Sequence, residues 1–427
     1  MADELSATLP IDPPFARRAG HDPLIALLIA GYLAIVLAAI AFFHFTGDTV
    51  HTADLGWDRA TFITLNAATL TGFQQNTRVG DFLPAAQFML FFLTLAGSLF
   101  SMVAGGVLVC RILRLEYSTG RIVLGAVILE TIGMVVGGLA LSPGQTLCSG
   151  IFNGAAALGN SGLHLGKSPD LSEAQLHAIL LPLSILGGLG LPVVMELFDG
   201  LWSRRALSTH ARTVLTLTCL LYLLTVAVWL LLGWPDSDAG VHPESDVVGV
   251  SVTDWPAVRK LAVAASTAAV NLRTPGFAAS FSDQFPYPAM EWCGMLLMLI
   301  GAAPAGTGGG VKTTTIAQIV LGVRNALTGR PVGRAFGIAA TWLGFYCLMV
   351  LVALLFLLNS EPDLPADRIL FLTISAASNV GLSHNPLSIV KGGMYMLSTT
   401  MLLGRVAPVL VLWWMSRSTA NAQLAVG

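Results

Sequence analysis

This 427-residue chain has few charged residues. Only 11% of its residues are Asp, Glu, Lys or Arg, 55% are hydrophobic, and the mean hydropathy is +0.75. Soluble domains carry about a quarter charged residues, so the composition excludes a soluble globular enzyme. The formal net charge of -2 provides no polybasic surface, which excludes nucleic acid as a partner.

Cysteine pairs and clustered ionisable side chains are also missing. The five cysteines are isolated from one another, so neither a disulfide framework nor a zinc site is indicated. The carboxylates inside apolar runs are scattered at Glu130, Glu196 and Glu291. A membrane-embedded enzyme would need such groups close together, so we expect no enzymatic activity and no bound cofactor.

Long apolar runs dominate instead. A transmembrane helix needs about 20 apolar residues, and the sequence therefore predicts an all-α integral membrane protein with eight transmembrane helices. The runs cover residues 24–43, 84–110, 121–141, 176–202, 213–234, 287–323, 335–358 and 394–415. Arginines are concentrated in one set of alternate loops, for example at Arg111, Arg204 and Arg324, so the positive-inside rule places both termini in the cytoplasm.

Four shorter, mixed segments lie between the apolar runs of each successive pair. They cover residues 57–73, 145–163, 255–277 and 366–382. Each is too short or too polar to cross alone, and irregular backbone is tolerated at membrane depth only inside protein or beside water. We therefore predict four re-entrant pore helices, entering from outside. The chain then divides into a cytoplasmic N-terminus (1–23) and four repeats around one central pore (24–114, 115–205, 206–330 and 331–427).

The four short segments share one motif, in which small residues precede a glycine that is followed by a large apolar residue. Four such strands can point backbone carbonyls at one axis and replace the hydration shell of a cation. The alternative, four glycine turns that only reverse the chain, does not require fourfold agreement. The predicted selectivity filter comprises Leu70, Thr71, Gly72, Asn160, Ser161, Gly162, Thr274, Pro275, Gly276, Asn379, Val380 and Gly381.

The sixth apolar run is interrupted at residues 301–310, which contain five glycines and one proline. A helix interior loses about 1 kcal/mol per glycine and about 3 kcal/mol for proline, so the helix must break there. The stretch beginning at Gly306 looks like a phosphate-binding loop, but Val311 spoils the spacing, and it lies in an apolar run. We predict that a loop at membrane depth lines the ion path and acts as a gate.

Arg405 lies near the middle of the last apolar run. A charge there costs between ~3 and more than ~10 kcal/mol, and such residues usually face a pore or a partner. We expect Arg405 to bond to carbonyls of the interrupted segment in the closed state. The predicted gate comprises Gly306, Thr307, Gly308, Gly309, Gly310, Lys312 and Arg405.

These motifs resemble those of the Trk/Ktr/HKT superfamily of potassium transporters. The most specific are residues 271–277, 306–315 and 375–383 and the pair Gly404-Arg405. The chain is similar to the KtrB branch rather than the TrkH branch, because its first apolar run begins near Leu24. That leaves no extra pair of N-terminal spans.

The resemblance implies potassium uptake across the bacterial inner membrane, with K⁺ as the transported ion. It also implies a homodimer embedded in membrane lipid and a cytosolic nucleotide-binding regulatory subunit of the RCK type. Na⁺ permeation is one alternative, although glycine at all four filter positions favours K⁺. A second is the pore subunit of an ATP-driven potassium pump, which would need more spans. Channel-type conduction and coupled symport are both consistent with these residues.

Two histidines, His164 and His384, follow predicted filter segments. If they lie at the outer mouth, protonation near an ordinary pKa of about 6.5 would add positive charge where cations enter. Flux would then fall as the external pH drops from ~7.5 to ~5.5. The alternative is that both histidines lie too far from the axis to matter.

Overall fold

The structure is a computed structural model that describes residues 23–46, 55–74, 79–166, 172–203, 206–233, 255–273, 285, 287–384 and 389–418. Within these ranges the regular structure is helical, and no β-sheet is formed. The helices are numbered here in chain order. They are α1 (Pro23–Thr46), α2 (Trp57–Ala68), α3 (Pro84–Ile112), α4 (Thr119–Leu141), α5 (Leu147–Gly159), α6 (Glu173–Gly188), α7 (Leu191–Ser203), α8 (Thr209–Leu232), α9 (Trp255–Asn271), α10 (Pro288–Leu299), α11 (Thr313–Leu327), α12 (Arg334–Ser360), α13 (Ala366–Ala377) and α14 (Lys391–Ser418).

Local sequence signals account for several helix starts. The side chains of Ser118, Thr146 and Ser208 accept hydrogen bonds from the third residues of α4, α5 and α8, which satisfies amides that a helix leaves free at its N-terminus. Pro84 and Pro288 occupy the first positions of α3 and α10, where the missing amide hydrogen costs nothing.

Six helices among the described residues are long and apolar enough to cross a membrane, namely α1, α3, α4, α8, α12 and α14. A further stretch consists of α6 and α7, which meet at an angle of 108°. The molecule is therefore a multi-pass helical membrane protein. Of the most apolar stretch of α3, 78% is buried inside the protein, against 17% for α8, so α3 lies centrally and α8 lies at the periphery.

Two of the eight predicted runs are broken, and only the break in the run 176–202 departs from the prediction. The run 176–202 is sharply bent between α6 and α7, and the run 287–323 is divided into α10 and α11. The second break falls on the glycine-rich stretch, as its composition requires. The first break falls at Gly190, whose φ is +85°. A Cβ there would lie 2.3 Å from the carbonyl oxygen of Pro304, so only glycine fits this turn.

The four predicted re-entrant segments contain the short helices α2, α5, α9 and α13. Helix α2 packs against α1, α3 and α14, and α13 packs between α12 and α14. Helix α5 packs against α4 and α6, and α9 packs against α8. The alanines near the C-terminal ends of these short helices, such as Ala68, Ala156, Ala268 and Ala377, are fully buried. Small side chains therefore allow the short helices to approach their neighbours closely.

Candidate functional site

Three of the four predicted filter segments lie within the described residues, and they share one backbone geometry. After α2, α5 and α13 the chain leaves the helix through a left-handed residue, with φ of +60° at Leu70, +54° at Asn160 and +51° at Asn379. In each case the amide of the next residue bonds to a carbonyl five residues earlier. These bonds are Thr71 to Asn66 (3.0 Å), Ser161 to Ala156 (2.8 Å) and Val380 to Ser375 (2.9 Å).

The three segments meet at their glycines. A Cβ on Gly72 would lie 2.2 Å from the backbone nitrogen of Gly162, and a Cβ on Gly381 would lie 2.0 Å from the carbonyl oxygen of Thr71. Gly72 and Gly381 also have φ near +80°, which L side chains rarely adopt. The structure therefore brings three of the four predicted glycines together. The remaining filter residues, Thr274, Pro275 and Gly276, lie outside the described residues.

Two asparagine side chains at equivalent positions tie these segments to their surroundings. The Nδ2 of Asn379 donates to the hydroxyl of Thr71 (3.0 Å) and to the carbonyl of Met401 (2.9 Å). The Nδ2 of Asn160 donates to the hydroxyl of Thr307 (2.7 Å) and to the carbonyl of Ser184 (3.0 Å). Sequence reasoning considered only the backbone of these residues, although asparagine at the same place in two repeats was a usable signal.

The glycine-rich loop lies against the ends of the short helices. The amide of Thr307 donates to the carbonyl of Gly187 (3.0 Å), and its hydroxyl donates to the last turn of α5 at Leu158 (2.9 Å). A Cβ on Gly309 would lie 2.0 Å from the carbonyl oxygen of Ser378, at the end of α13. Residues 301–311 are buried throughout, so the loop fills the space next to the filter segments.

Arg405 bridges this loop to the end of α2. Its side chain is 5% exposed. Its Nε donates to the carbonyl of Thr69 (2.8 Å), and its Nη1 donates to the carbonyl of Thr307 (2.5 Å) and the hydroxyl of Ser101 (3.3 Å). Charged donors form stronger hydrogen bonds than neutral ones. The guanidinium therefore fixes the middle of the loop to the start of the first filter segment.

A second cation, Lys312, follows the loop and donates from Nζ to the carbonyl of Gly308 (2.7 Å). Within the described part of the chain, neither Lys312 nor Arg405 forms an ion pair with a carboxylate. The side chains of Arg405 and Lys312 thus bond to the loop beside the predicted filter segments.

Arg273 is a functional candidate that sequence reasoning did not single out, although it lies in one of the family motifs. It follows α9 and is 7% exposed. Its Nη2 donates to the carbonyl of Gly301 (3.2 Å), and its Nε donates to the carbonyl of Ile300 (3.4 Å). A charged residue beside an alanine-rich, buried helix end was the signal available in the sequence.

The structure bears on the expectation for one of the two histidines. His384 has its Nε2 2.9 Å from Oε1 of Glu291, and both side chains are mostly buried. Burial, together with the nearby cation of Arg368, lowers the pKa of His384 to about 4, although Asp367 opposes this shift. Burial and Arg368 thus disfavour the protonated form of His384, whereas the carboxylate of Glu291 favours it. The expectation that His384 gains charge near pH 6.5 stays a prediction, which burial opposes.

Comparison with known proteins places this architecture in a class. No family model matches the chain. The structure of the potassium transporter TrkH from Vibrio parahaemolyticus superposes with a TM-score of 0.69 at 17% identity, covering 95% of this chain and 88% of TrkH. This chain therefore shares the helical membrane fold of that structure.

Proteins of similar sequence indicate more closely what this chain resembles. The Ktr system potassium uptake protein B of Vibrio alginolyticus is 27% identical over 318 residues, covering 70% of this chain and 66% of that protein. Its Bacillus subtilis namesake is 26% identical, covering 66% and 63%, respectively. The matches thus span just under two thirds of the length of these two relatives. The potassium/sodium uptake protein NtpJ of Enterococcus hirae is 24% identical, covering 91% and 92%. These similarities support the resemblance to the Trk/Ktr family, of the KtrB type, that the motifs predict.

Proposed function

We propose that this chain takes up K⁺ across the bacterial inner membrane through a selectivity filter formed by its four glycine segments. One observation carries the proposal. Three of these segments converge at Gly72, Gly162 and Gly381, each at the end of a short buried helix and all beside one buried loop. The names of the two KtrB relatives, which denote potassium uptake, support the choice of ion.

The filter acts through its backbone. Carbonyl oxygens of residues 70–72, 160–162, 274–276 and 379–381 replace the water around a dehydrated cation. The C-terminal ends of the short helices add partial negative charge at the same place. The tight contacts between Gly72 and Gly162 and between Gly381 and Thr71 hold the carbonyls at a fixed spacing, which favours one ion size.

The glycine-rich loop closes the pathway. Thr307 is held by Leu158, Asn160 and Gly187, and Arg405 holds the same residue from the other side. Opening requires the loop to move aside together with the positive charges of Arg405 and Lys312. The movement is driven by a cytosolic nucleotide-binding regulatory subunit that acts on the inner loops near residues 204–205 and 324–334. The transporting unit is a homodimer with one pore in each subunit, and both termini face the cytoplasm.

A second candidate is a less selective transporter of monovalent cations. The relative NtpJ, which aligns over most of both chains, is named for potassium and sodium. The two functions share the fold and the loop and differ only in how strongly the filter discriminates against Na⁺.

Ion flux into proteoliposomes tests the proposal. The purified protein is reconstituted without nucleotide, and uptake of K⁺, Rb⁺ and Na⁺ is compared with that of empty liposomes. We expect K⁺ and Rb⁺ uptake to exceed Na⁺ uptake. Equal uptake of all three ions favours the second candidate. Absence of uptake of any cation, with and without the regulatory subunit, contradicts both.

The filter assignment has its own matched control. Gly72→Ser places a side chain at the contact with Gly162 and should reduce the preference for K⁺ over Na⁺. Gly80→Ser is the control, because the nearest atom to its Cβ lies 3.9 Å away. Equal ion preference in the two variants contradicts the assignment of Gly72.

A further inference from the structure

Two buried arginines, from different repeats, hold the glycine-rich loop. Arg405 bonds to Thr307 in its middle, and Arg273 bonds to Ile300 and Gly301 at its start. We infer that Arg273 is a second positioning residue of the gate, which fixes the start of the loop. This inference rests on the proposed function.

The geometry of the α10 terminus explains why a guanidinium is needed there. Helix α10 ends at Leu299, and Ile300 leaves the helix with φ of -91° and ψ of 85°. Among the described backbone bonds, no amide donates to the carbonyl of Ile300 or Gly301. A buried carbonyl without a donor is costly. The planar fork of arginine supplies two donors at once, whereas lysine presents a single point charge.

The surroundings of Arg273 leave room for the start of the loop to move. Arg273 and Ala302 line a cavity of about 290 Å³ between α6, α8 and α9, whose other lining residues are mostly apolar. If the guanidinium releases Gly301, the start of the loop can shift into this space. Arg273 directly precedes residues 274–276 in the sequence, so we expect its substitution to affect ion preference as well.

The test compares Arg273→Gln and Arg273→Lys with Arg259→Gln in proteoliposomes that lack the regulatory subunit. Arg259 lies on the same helix, but its side chain is exposed and pairs with Glu173 at the surface. We expect Arg273→Gln to raise K⁺ uptake about tenfold, because a hydrogen bond from a charged donor is lost at the closed loop. We also expect the K⁺ preference over Na⁺ to fall. Arg273→Lys should lie between wild type and Arg273→Gln, and Arg259→Gln should match wild type.

A merely structural role for Arg273 gives a different result. In that case Arg273→Gln lowers the yield of folded protein and the total uptake together, and uptake per folded molecule does not rise. This outcome overturns the inference. If Arg273→Gln does not fold, Arg273→Lys decides, and wild-type uptake and selectivity in that variant overturn the inference. Failure of the proposed function is recognised separately, because the wild-type protein then takes up no cation under any condition.

Discussion

Two membrane-crossing stretches of this protein are broken, and their breaks differ in length but face each other. The break between α6 and α7 leaves only Leu189 and Gly190 outside the helices, whereas that between α10 and α11 spans residues 300–312. The amides of Ala303 and Thr307 donate to the carbonyls of Gly188 and Gly187 (both 3.0 Å), and the amide of Leu191 donates to the carbonyl of Ala305 (3.2 Å).

The comparison shows how a membrane protein tolerates a long irregular loop. Backbone groups exposed by a broken helix need partners when water is absent, and here each break provides partners for the other. The short break is a tight turn that requires one glycine with positive φ. The long break is held by this turn and by side chains from other repeats. The short break therefore forms a platform that supports the loop.

Breaking the platform should have the largest effect. Gly190→Ala puts a Cβ against the carbonyl of Pro304 and imposes a left-handed conformation that costs roughly 1–2 kcal/mol before any clash. We expect the purified variant in detergent to unfold at a clearly lower temperature than the wild type. Gly344→Ala in α12 is the control, since its Cβ meets no atom within 4 Å. Equal melting temperatures of the two variants would contradict the role of the turn at Gly190 as a support for the loop.

Releasing the loop should leave the fold intact and change function strongly. Arg405→Ala removes the bridge between Thr69 and Thr307, and deletion of residues 307–309 removes the obstruction itself. Because bonds from charged donors contribute about 1.5–3 kcal/mol, we expect at least about tenfold faster K⁺ uptake without the regulatory subunit. Arg121→Ala, which breaks an exposed pair with Asp199, serves as the control. If both gate variants fold and conduct no faster than wild type, the loop is a structural kink and not a gate.

Removal of a single hydroxyl group tests how the loop is held at the end of α5. Thr307→Val keeps the shape of the side chain but removes the hydroxyl that connects Asn160 with the carbonyl of Leu158. Asn160 keeps its bond to Ser184 but loses the one to Thr307, and the carbonyl of Leu158 loses the hydroxyl donor, which costs about 1–3 kcal/mol. We expect a several-fold increase in uptake without the regulatory subunit, less than for Arg405→Ala. Thr341→Val removes an exposed hydroxyl on α12 and should leave uptake unchanged. If Thr307→Val and Thr341→Val show the same uptake, the hydroxyl of Thr307 does not link the filter to the loop.

The smallest effect concerns His384, which is remote from both breaks. Its pKa of about 4 in the folded protein lies below the unfolded value of about 6.5, so the unfolded state binds more protons between these values. Stability should therefore decrease as the pH falls from about 6.5 to about 4. His384→Gln should remove this part of the pH dependence of the melting temperature. With this lowered pKa, uptake by the wild type should not respond to His384 between pH 7.5 and 5.5. A melting profile that is unchanged by the substitution would contradict the shifted pKa.

The sequence was informative where composition changes abruptly. Five glycines and a proline within residues 301–310 cannot form a stable helix, so the long break was predictable. The run 176–202 stays apolar throughout, and Gly187, Gly188 and Gly190 are equally typical of close packing between continuous membrane helices. The short break depends on the approach of Pro304 to Gly190, a contact between distant parts of the chain that no local pattern reveals.

Within the site too, some residue roles could be predicted from the sequence and others could not. The repeated glycines at positions 72, 162 and 381 could be recognised as a set because four segments agree. The side-chain contact of Asn160 with the loop depends on how repeats two and three pack together, and that of Arg273 depends on the packing of α9 against the loop within repeat three. Such contacts across large sequence separations require the three-dimensional structure.

The guanidinium of Arg405 bonds simultaneously to Thr69, at the threshold of the first filter segment, and to Thr307 in the loop. In the proposed mechanism, a cation that occupies the inner end of the filter repels this guanidinium and so weakens the bond that keeps the loop in place. Thermodynamic reciprocity then requires that displacement of the loop strengthen cation binding at the filter by the same factor. External K⁺ would in this way act as an activator of its own uptake, and the work left to a regulatory subunit would decrease as the supply of the ion increases.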